Sequence, residues 1–242
     1  MANHDSMWMP FAQELTVRIV TGRYPAGSLI PTETQLGQEF DVSRTVVREG
    51  TKVLADKGLL ISRRGLGTRV LDRSEWRTFD PDVLSVRLEH GDRDVVLREV
   101  LVLRRSIEPE LAARTAELAA QEDLDALGEL IERSRAEQRN PKAFRLLDAE
   151  FHARVAELGQ NSLLRDVIKI LEQPIAIQRE LTGQIPGAGS KVPQQQHEAV
   201  YRCIAHRDAE GARQSMLEHI KWAEERLDRV LTARKTPAKR TR

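Results

Sequence analysis

The sequence predicts a mainly α protein in two parts: a small N-terminal head of short helices closed by a hairpin, and a larger C-terminal all-α helical bundle. Three observations carry this expectation. Residues 32–71 run as two capped helical segments followed by two short β-type stretches. From Pro81 onward no strand pattern is visible, and apolar residues recur at helical spacing between Pro, Gly and Asp breaks. The chain has 242 residues of which 40 % are hydrophobic, enough to bury a sizeable core in one large domain or two smaller ones.

The head begins with an amphipathic helix over residues 8–21, where Phe11, Leu15 and Ile19 share a face. GRYPAGSLIP (22–31) is a loop rich in Gly and Pro. Thr32 with Gln35 three residues later is a capping box, and the helix it starts ends near Phe40. Ser43 caps a longer helix that runs to Lys57, and Gly58 stops it. LLIS (59–62) and GTRVL (67–71) flank Arg63-Arg64-Gly65-Leu66 and form a hairpin. Short helix, tight turn, second helix and hairpin is the order of a winged helix-turn-helix.

Residues 8–73 are therefore expected to form that head, residues 74–80 a linker, residues 81–233 an all-helical domain and residues 234–242 a basic disordered tail. The bundle reads as helices over 82–89, 93–119, 121–138, 141–158, 161–182, 193–206 and 209–233, with the GQIPGAG loop at 183–189.

Charge narrows the function classes. Net charge is only +1, so bulk charge does not announce nucleic acid. Its distribution is uneven: residues 1–73 carry ten basic against eight acidic residues, the last ten carry five basic and no acidic ones, and the middle is acidic. Cys203 is the only cysteine, which excludes a disulfide framework and suits a reducing cytoplasm. The N-terminus lacks a signal peptide's charged and apolar regions, and no apolar run approaches the roughly 20 residues needed to span a bilayer. The expectation is a cytoplasmic protein with no membrane partner.

On the second helix of the head, Arg44, Arg48 and Lys52 recur at i, i+4 and i+8 as one basic stripe, with Thr45 beside it. Val46, Val47, Val53 and Leu54 supply the buried side. An Arg in the major groove can donate a bidentate pair to guanine, and Ser43 with the first free N–H groups of the helix can grip a phosphate. Arg64 beside Gly65 in the hairpin suits the minor groove, because glycine permits close backbone approach. A basic stripe alone is usually only a solvated face; the capped turn and the basic wing together turn the balance toward double-stranded DNA.

IPTETQLGQEFDVSRTVVREGTKVLADKGLL followed by RRGLGTRV resembles the N-terminal domain of GntR-type transcriptional regulators over about 60 residues. The resemblance implies that Arg44, Thr45, Arg48, Arg64 and Gly65 touch DNA. Two departures stand out. Thr34 sits where many relatives carry a DNA-contacting Arg, and Gly50-Thr51 replaces the usual Ala-Leu, with a mid-helix Gly costing about 1 kcal/mol relative to Ala.

In the bundle, LLDAEFHARV (146–155) puts Asp148 and His152 on one helical face. Such a pair can be a surface ion pair, a core polar pair or half of a metal site. Of the six histidines, His4 lies in the terminus, His90 at a helix end before Gly91, and His206 before the Asp208 cap. His197 and His219 remain, both on inward faces of helices joined by a turn. One Asp and three His suit Zn²⁺, Mn²⁺ or Ni²⁺ and leave open positions if the ion is five- or six-coordinate.

Asp-x-x-x-His, then His, then His about 22 residues later resembles the FCD ligand-binding domain of the FadR subfamily of GntR regulators. The resemblance implies a divalent metal held by Asp148, His152, His197 and His219. LRRSIEPELAARTAELAA (103–120) resembles that domain's first long helix and places Arg104 as an effector-binding residue, where a guanidinium beside a metal suits a carboxylate. The alternative at Arg104 is a simple i, i+4 pair with Glu108. EWRTFDPDVLSVRLEHG (75–91) resembles regulators that answer to sugar acids such as galactonate. Together these imply a ligand-responsive regulator, a repressor, that reads a short palindromic operator as a homodimer and senses a small carboxylate at the metal.

The rival class is a metal-dependent enzyme acting on a small acid or lactone, since a metal among three His and one Asp can activate water. No general base adjoins the ligands in the sequence and there is no HExxH, so the expectation is a protein that is not an enzyme.

Overall fold

The computed structural model describes residues 8–183 and 190–235. Three sequence expectations lie outside these residues: the placement of His4, the loop at 184–189, and the tail from residue 236. The chain divides into two compact units after Arg93.

In the first unit, α1 (Trp8–Val20) buries Phe11, Ala12, Leu15 and Ile19. Thr32 opens α2 (Glu33–Glu39) with both hydrogen bonds of a capping box. A turn through Asp41 at φ 52° leads to Ser43, whose side chain accepts from the Val46 N–H and starts α3 (Arg44–Asp56). Gly58 at φ 71° ends it, in a left-handed backbone that any Cβ would strain further by meeting the Glu75 carbonyl oxygen at 2.6 Å. Strands β1 (Leu60–Arg63) and β2 (Gly67–Val70) pair antiparallel, with Leu60 opposite Val70 and Arg63 opposite Gly67.

Gly50 has a packing reason that helix propensity does not reveal. A Cβ there would meet Phe11 Cδ1 at 2.4 Å, so the missing side chain is what lets the ring of α1 close onto α3. The propensity cost of this glycine is offset by the burial of Phe11, which is 3 % exposed.

Two boundaries differ from the sequence expectation. The segment 74–80 is not a free linker: a 3-10 turn spans Arg73–Glu75, and Trp76 is buried in the head's core with its indole N–H donating to the Leu71 carbonyl at 3.1 Å. Helix α4 (Pro81–His90) also packs with the first unit, through Val83 and Val86, and its cap Asp80 pairs with Lys57 at 2.7 Å. An apolar Trp followed by an amphipathic turn of helix binds this stretch to the head.

The second unit holds α5 (Arg93–Leu118, whose first residue closes the first unit), α6 (Gln121–Ala136), α7 (Pro141–Leu158), α8 (Ser162–Ile170), α9 (Glu172–Gly183), α10 (Lys191–Ala205) and α11 (Ala209–Lys235). The single helix expected over 161–182 is two, broken at Leu171. Pro174 has no N–H to offer the Ile170 carbonyl, so the ladder of α8 ends there, while in the first turn of α9 that N–H is not needed. Helix α11 continues through Arg234 and Lys235, two residues beyond the expected end.

Candidate functional site

All six head residues singled out from the sequence are exposed: Ser43, Arg44, Thr45, Arg48, Arg64 and Gly65. Ser43 Oγ accepts from the Val46 N–H at 3.4 Å, which leaves its own proton free to donate to a phosphate. Arg48 Nε lies 4.0 Å from Glu33 Oε1, an exposed pair that holds the guanidinium only weakly. Gly65 sits at φ 78° with nothing within 4 Å of where a Cβ would be, so the wing turn is open on that side. Val46, Val47 and Leu54 are buried as expected, and Val53 is half-buried.

In the second unit Asp148, His152, His197 and His219 are all buried, and one ligand atom from each lies within 4.8 Å of the others. Helix α7 supplies Asp148 and His152 one turn apart, α10 supplies His197 and α11 supplies His219. His219 Nε2 is 3.2 Å from His152 Nε2 and 3.3 Å from His197 Nε2, and His197 Nε2 is 3.3 Å from Asp148 Oδ1.

The outer nitrogens decide what the inner ones can do. His152 Nδ1 lies 2.5 Å from Glu108 Oε2, and His219 Nδ1 lies 3.1 Å from Gln196 Oε1. Both acceptors call for a proton on Nδ1, so the Nε2 lone pairs of His152 and His219 face each other across 3.2 Å. Two lone pairs at that distance repel unless a proton or a metal ion lies between them, and Asp148 adds a negative charge to the same point. The donor set therefore fits a divalent ion, with Glu108 as the carboxylate that orients a ligating imidazole. Such an ion would supply Lewis acidity toward oxygen donors of a bound molecule.

Ionisation agrees with that arrangement. Burial pushes the His197 pKa down to about 3, overriding the pull of Asp148. Burial and the neighbouring His197 and His152 hold His219 well below its ordinary value. Burial pushes the Asp148 carboxyl up, but the Arg179 guanidinium and the histidines outweigh it and the carboxyl ends below the usual range. Neutral imidazoles and an ionised carboxylate are the metal-binding forms.

A cavity of about 190 Å³ adjoins the cluster and is touched by Asp148 and His219. Four arginines line it: Arg104, Arg145, Arg179 and Arg226. Arg104 is 2 % exposed and donates to Glu108 at 2.5 Å and to Gln178 at 3.0 Å. The i, i+4 pair and the cavity position thus hold together. Arg179 ion-pairs with Asp148. Glu108 and Arg179 are the partners that sequence reasoning missed in their roles: Glu108 was visible only as a helix-pair mate of Arg104, and nothing in the local pattern marks Arg179.

Residues 99–221 match the FCD domain, and residues 11–70 match the gntR family of bacterial regulatory proteins. The chain is 29 % identical over 216 residues to the galactonate operon transcriptional repressor of Escherichia coli K12, covering 88 % of this chain and 93 % of that one. It is 32 % identical over 166 residues to the uncharacterized HTH-type transcriptional regulator YieP of the same organism, covering 68 % and 72 %. In fold it is similar to Streptococcus agalactiae GntR, with a TM-score of 0.51 at 24 % identity over 90 % of this chain and 99 % of that one. Among the described residues no helix is long and apolar enough to cross a membrane. A GntR reading head followed by an FCD domain over half the chain places this protein in the gntR family of bacterial regulatory proteins, as a transcription regulator and not an enzyme.

Proposed function

We propose that this regulator is a repressor that binds a short palindromic operator as a homodimer and responds to a small sugar acid or hydroxy acid at a divalent-metal site. The observation that carries the reading is the convergence of Asp148, His152, His197 and His219 beside an arginine-lined cavity. The ion is of the Zn, Mn or Ni class, which suits three imidazoles and one carboxylate. Hydroxyl and carboxylate of the effector chelate it together while Arg104 takes the carboxylate. The similarity to a galactonate operon repressor supports an aldonate as the effector class.

On the DNA side, Arg44, Thr45 and Arg48 read base edges in the major groove, Ser43 donates to a phosphate, and Arg64 with Gly65 approaches the minor groove. Two such heads in a two-fold dimer match an inverted repeat. The effector acts by binding the two states of the dimer with different affinity.

The test is fluorescence anisotropy with the upstream region of this protein's own gene against a scrambled duplex, at one fixed salt concentration. It is repeated with a panel of sugar acids and after metal removal. The expected result is preference for the native duplex, weakened by one acid and only in metal-loaded protein. Equal affinity for both duplexes would overturn the DNA reading; indifference to every acid would overturn the sensor reading.

A further inference from the structure

The cavity beside the metal ligands is charged unevenly along its length. At the metal end two arginines are compensated: Arg104 by Glu108 and Arg179 by Asp148. At the other end two are not. Arg145 is half-buried and has no carboxylate partner among the described residues. Arg226 donates through Nε to the Thr182 carbonyl at 3.3 Å and lies over the Trp222 ring at 4.9 Å, but its Nη2 is buried without a hydrogen-bond partner. A buried donor with no acceptor is costly, so an acceptor from outside the chain is the natural complement.

Helix α9 shows that the two ends are separate. Gln178 and Arg179 meet Arg104 and Asp148 at the metal end. One turn on, Thr182 meets Arg226, and Gly183 has Arg145 Nη1 as its neighbour, 3.8 Å from where a Cβ would sit. One turn of α9 is about 5 Å, and His219 to Arg226 on α11 is about 10 Å of helix rise. An extended six-carbon chain spans about 6 Å at roughly 1.2 Å per bond. Phe144 and Trp222 line the cavity with apolar surface suited to the carbon skeleton.

We propose that the effector is an acyclic hydroxy acid with a second anionic group at its far end, held by Arg145 and Arg226. The inference rests on the acid-sensing reading above and adds the far-end charge to it. The second group is a carboxylate or a phosphate; both are met by paired guanidinium donors.

The experiment is calorimetric titration of full-length, Zn²⁺-loaded protein with three probes: galactonate, with one carboxylate; galactarate, with one at each end; and 6-phosphogluconate, with a carboxylate and a phosphate. At least one of the two-ended acids is expected to bind about tenfold or more tighter than galactonate, and which one does so names the second group. Arg226→Gln and Arg145→Gln are expected to bring that ratio to about one, whereas Arg226→Lys keeps part of it. Zinc content of each variant shows that the site still folds. Equal affinity for all three probes in the unmodified protein would overturn the proposal. So would variants that weaken all three acids by one common factor. Galactonate binding without a two-ended preference sinks this proposal alone, while failure of every acid to bind sinks the acid-sensing reading with it.

Discussion

Glu108 accepts from His152 across 44 residues of sequence, at 2.5 Å, while its other oxygen takes the Arg104 guanidinium. One buried carboxylate thus fixes both the tautomer of a histidine of the proposed metal site and the position of the arginine beside the cavity. Burial opposes its ionisation, but Arg104 and His152 outweigh that and hold Glu108 far below the usual carboxylate range. Glu108→Gln keeps an acceptor but removes the charge. Metal affinity is expected to fall about 10–100-fold, read by competition with a chelator of known affinity. Unchanged affinity would mean that Glu108 serves Arg104 alone.

Without a bound metal the bundle is expected to be sensitive to mild acid. His197 stays neutral in the fold down to about pH 3. Unfolded, it takes a proton near pH 6.5, and His219 behaves in the same direction. Below pH 6.5 the unfolded chain therefore binds more protons, and stability falls as pH drops from about 6.5 toward 3. Below about 4.5 the unfolded chain also protonates Asp148 and Glu108, which the fold keeps ionised, and stability falls further. Urea midpoints of metal-free protein at pH 7.5 and 5.0 check this. Equal midpoints would show that the histidines are not buried as neutral groups.

Replacing Gly50 should reverse the usual sign of a helix substitution. Gly50→Ala gains about 1 kcal/mol of intrinsic propensity. It also drives a methyl to 2.4 Å from the Phe11 ring, and overpacking of this kind costs about 1–3 kcal/mol. The head is expected to lose stability in denaturant unfolding. A more stable variant would mean that α1 shifts freely on α3.

Arg48 is exposed and only loosely paired, so Arg48→Ala leaves folding stability nearly unchanged. If Arg48 reads a base edge, the variant loses about 1–3 kcal/mol of operator affinity and discriminates less at one position of each half-site. Anisotropy with a set of single-base operator variants checks this. A uniform loss across all sequences would instead make Arg48 a phosphate contact.

Metal stoichiometry tests the four ligands together. One divalent ion per chain is expected by elemental analysis of purified protein, and His197→Ala is expected to lose most of it. Full retention in His197→Ala would confine the ion to other donors.

Much of this protein is written in short-range pattern. The Thr32–Gln35 capping box, the Ser43 cap, the stop at Gly58 and the hairpin pairing are each set by residues within a few positions of one another, because caps and turns are local hydrogen-bond problems. Asp148 and His152 were legible as a pair for the same reason: one turn of helix puts them on one face. The break at Leu171 is also local, in Pro174: apolar periodicity continues through this residue, but it cannot donate the N–H that one continuous helix would need. Tertiary packing alone sets which distant groups share a buried space. No spacing rule joins Glu108 to His152, Arg179 to Asp148, Phe11 to Gly50 or Trp76 to the head. Those meetings follow from how helices pack, and in a buried, poorly screened interior the packing partner sets a side chain's charge, tautomer and role.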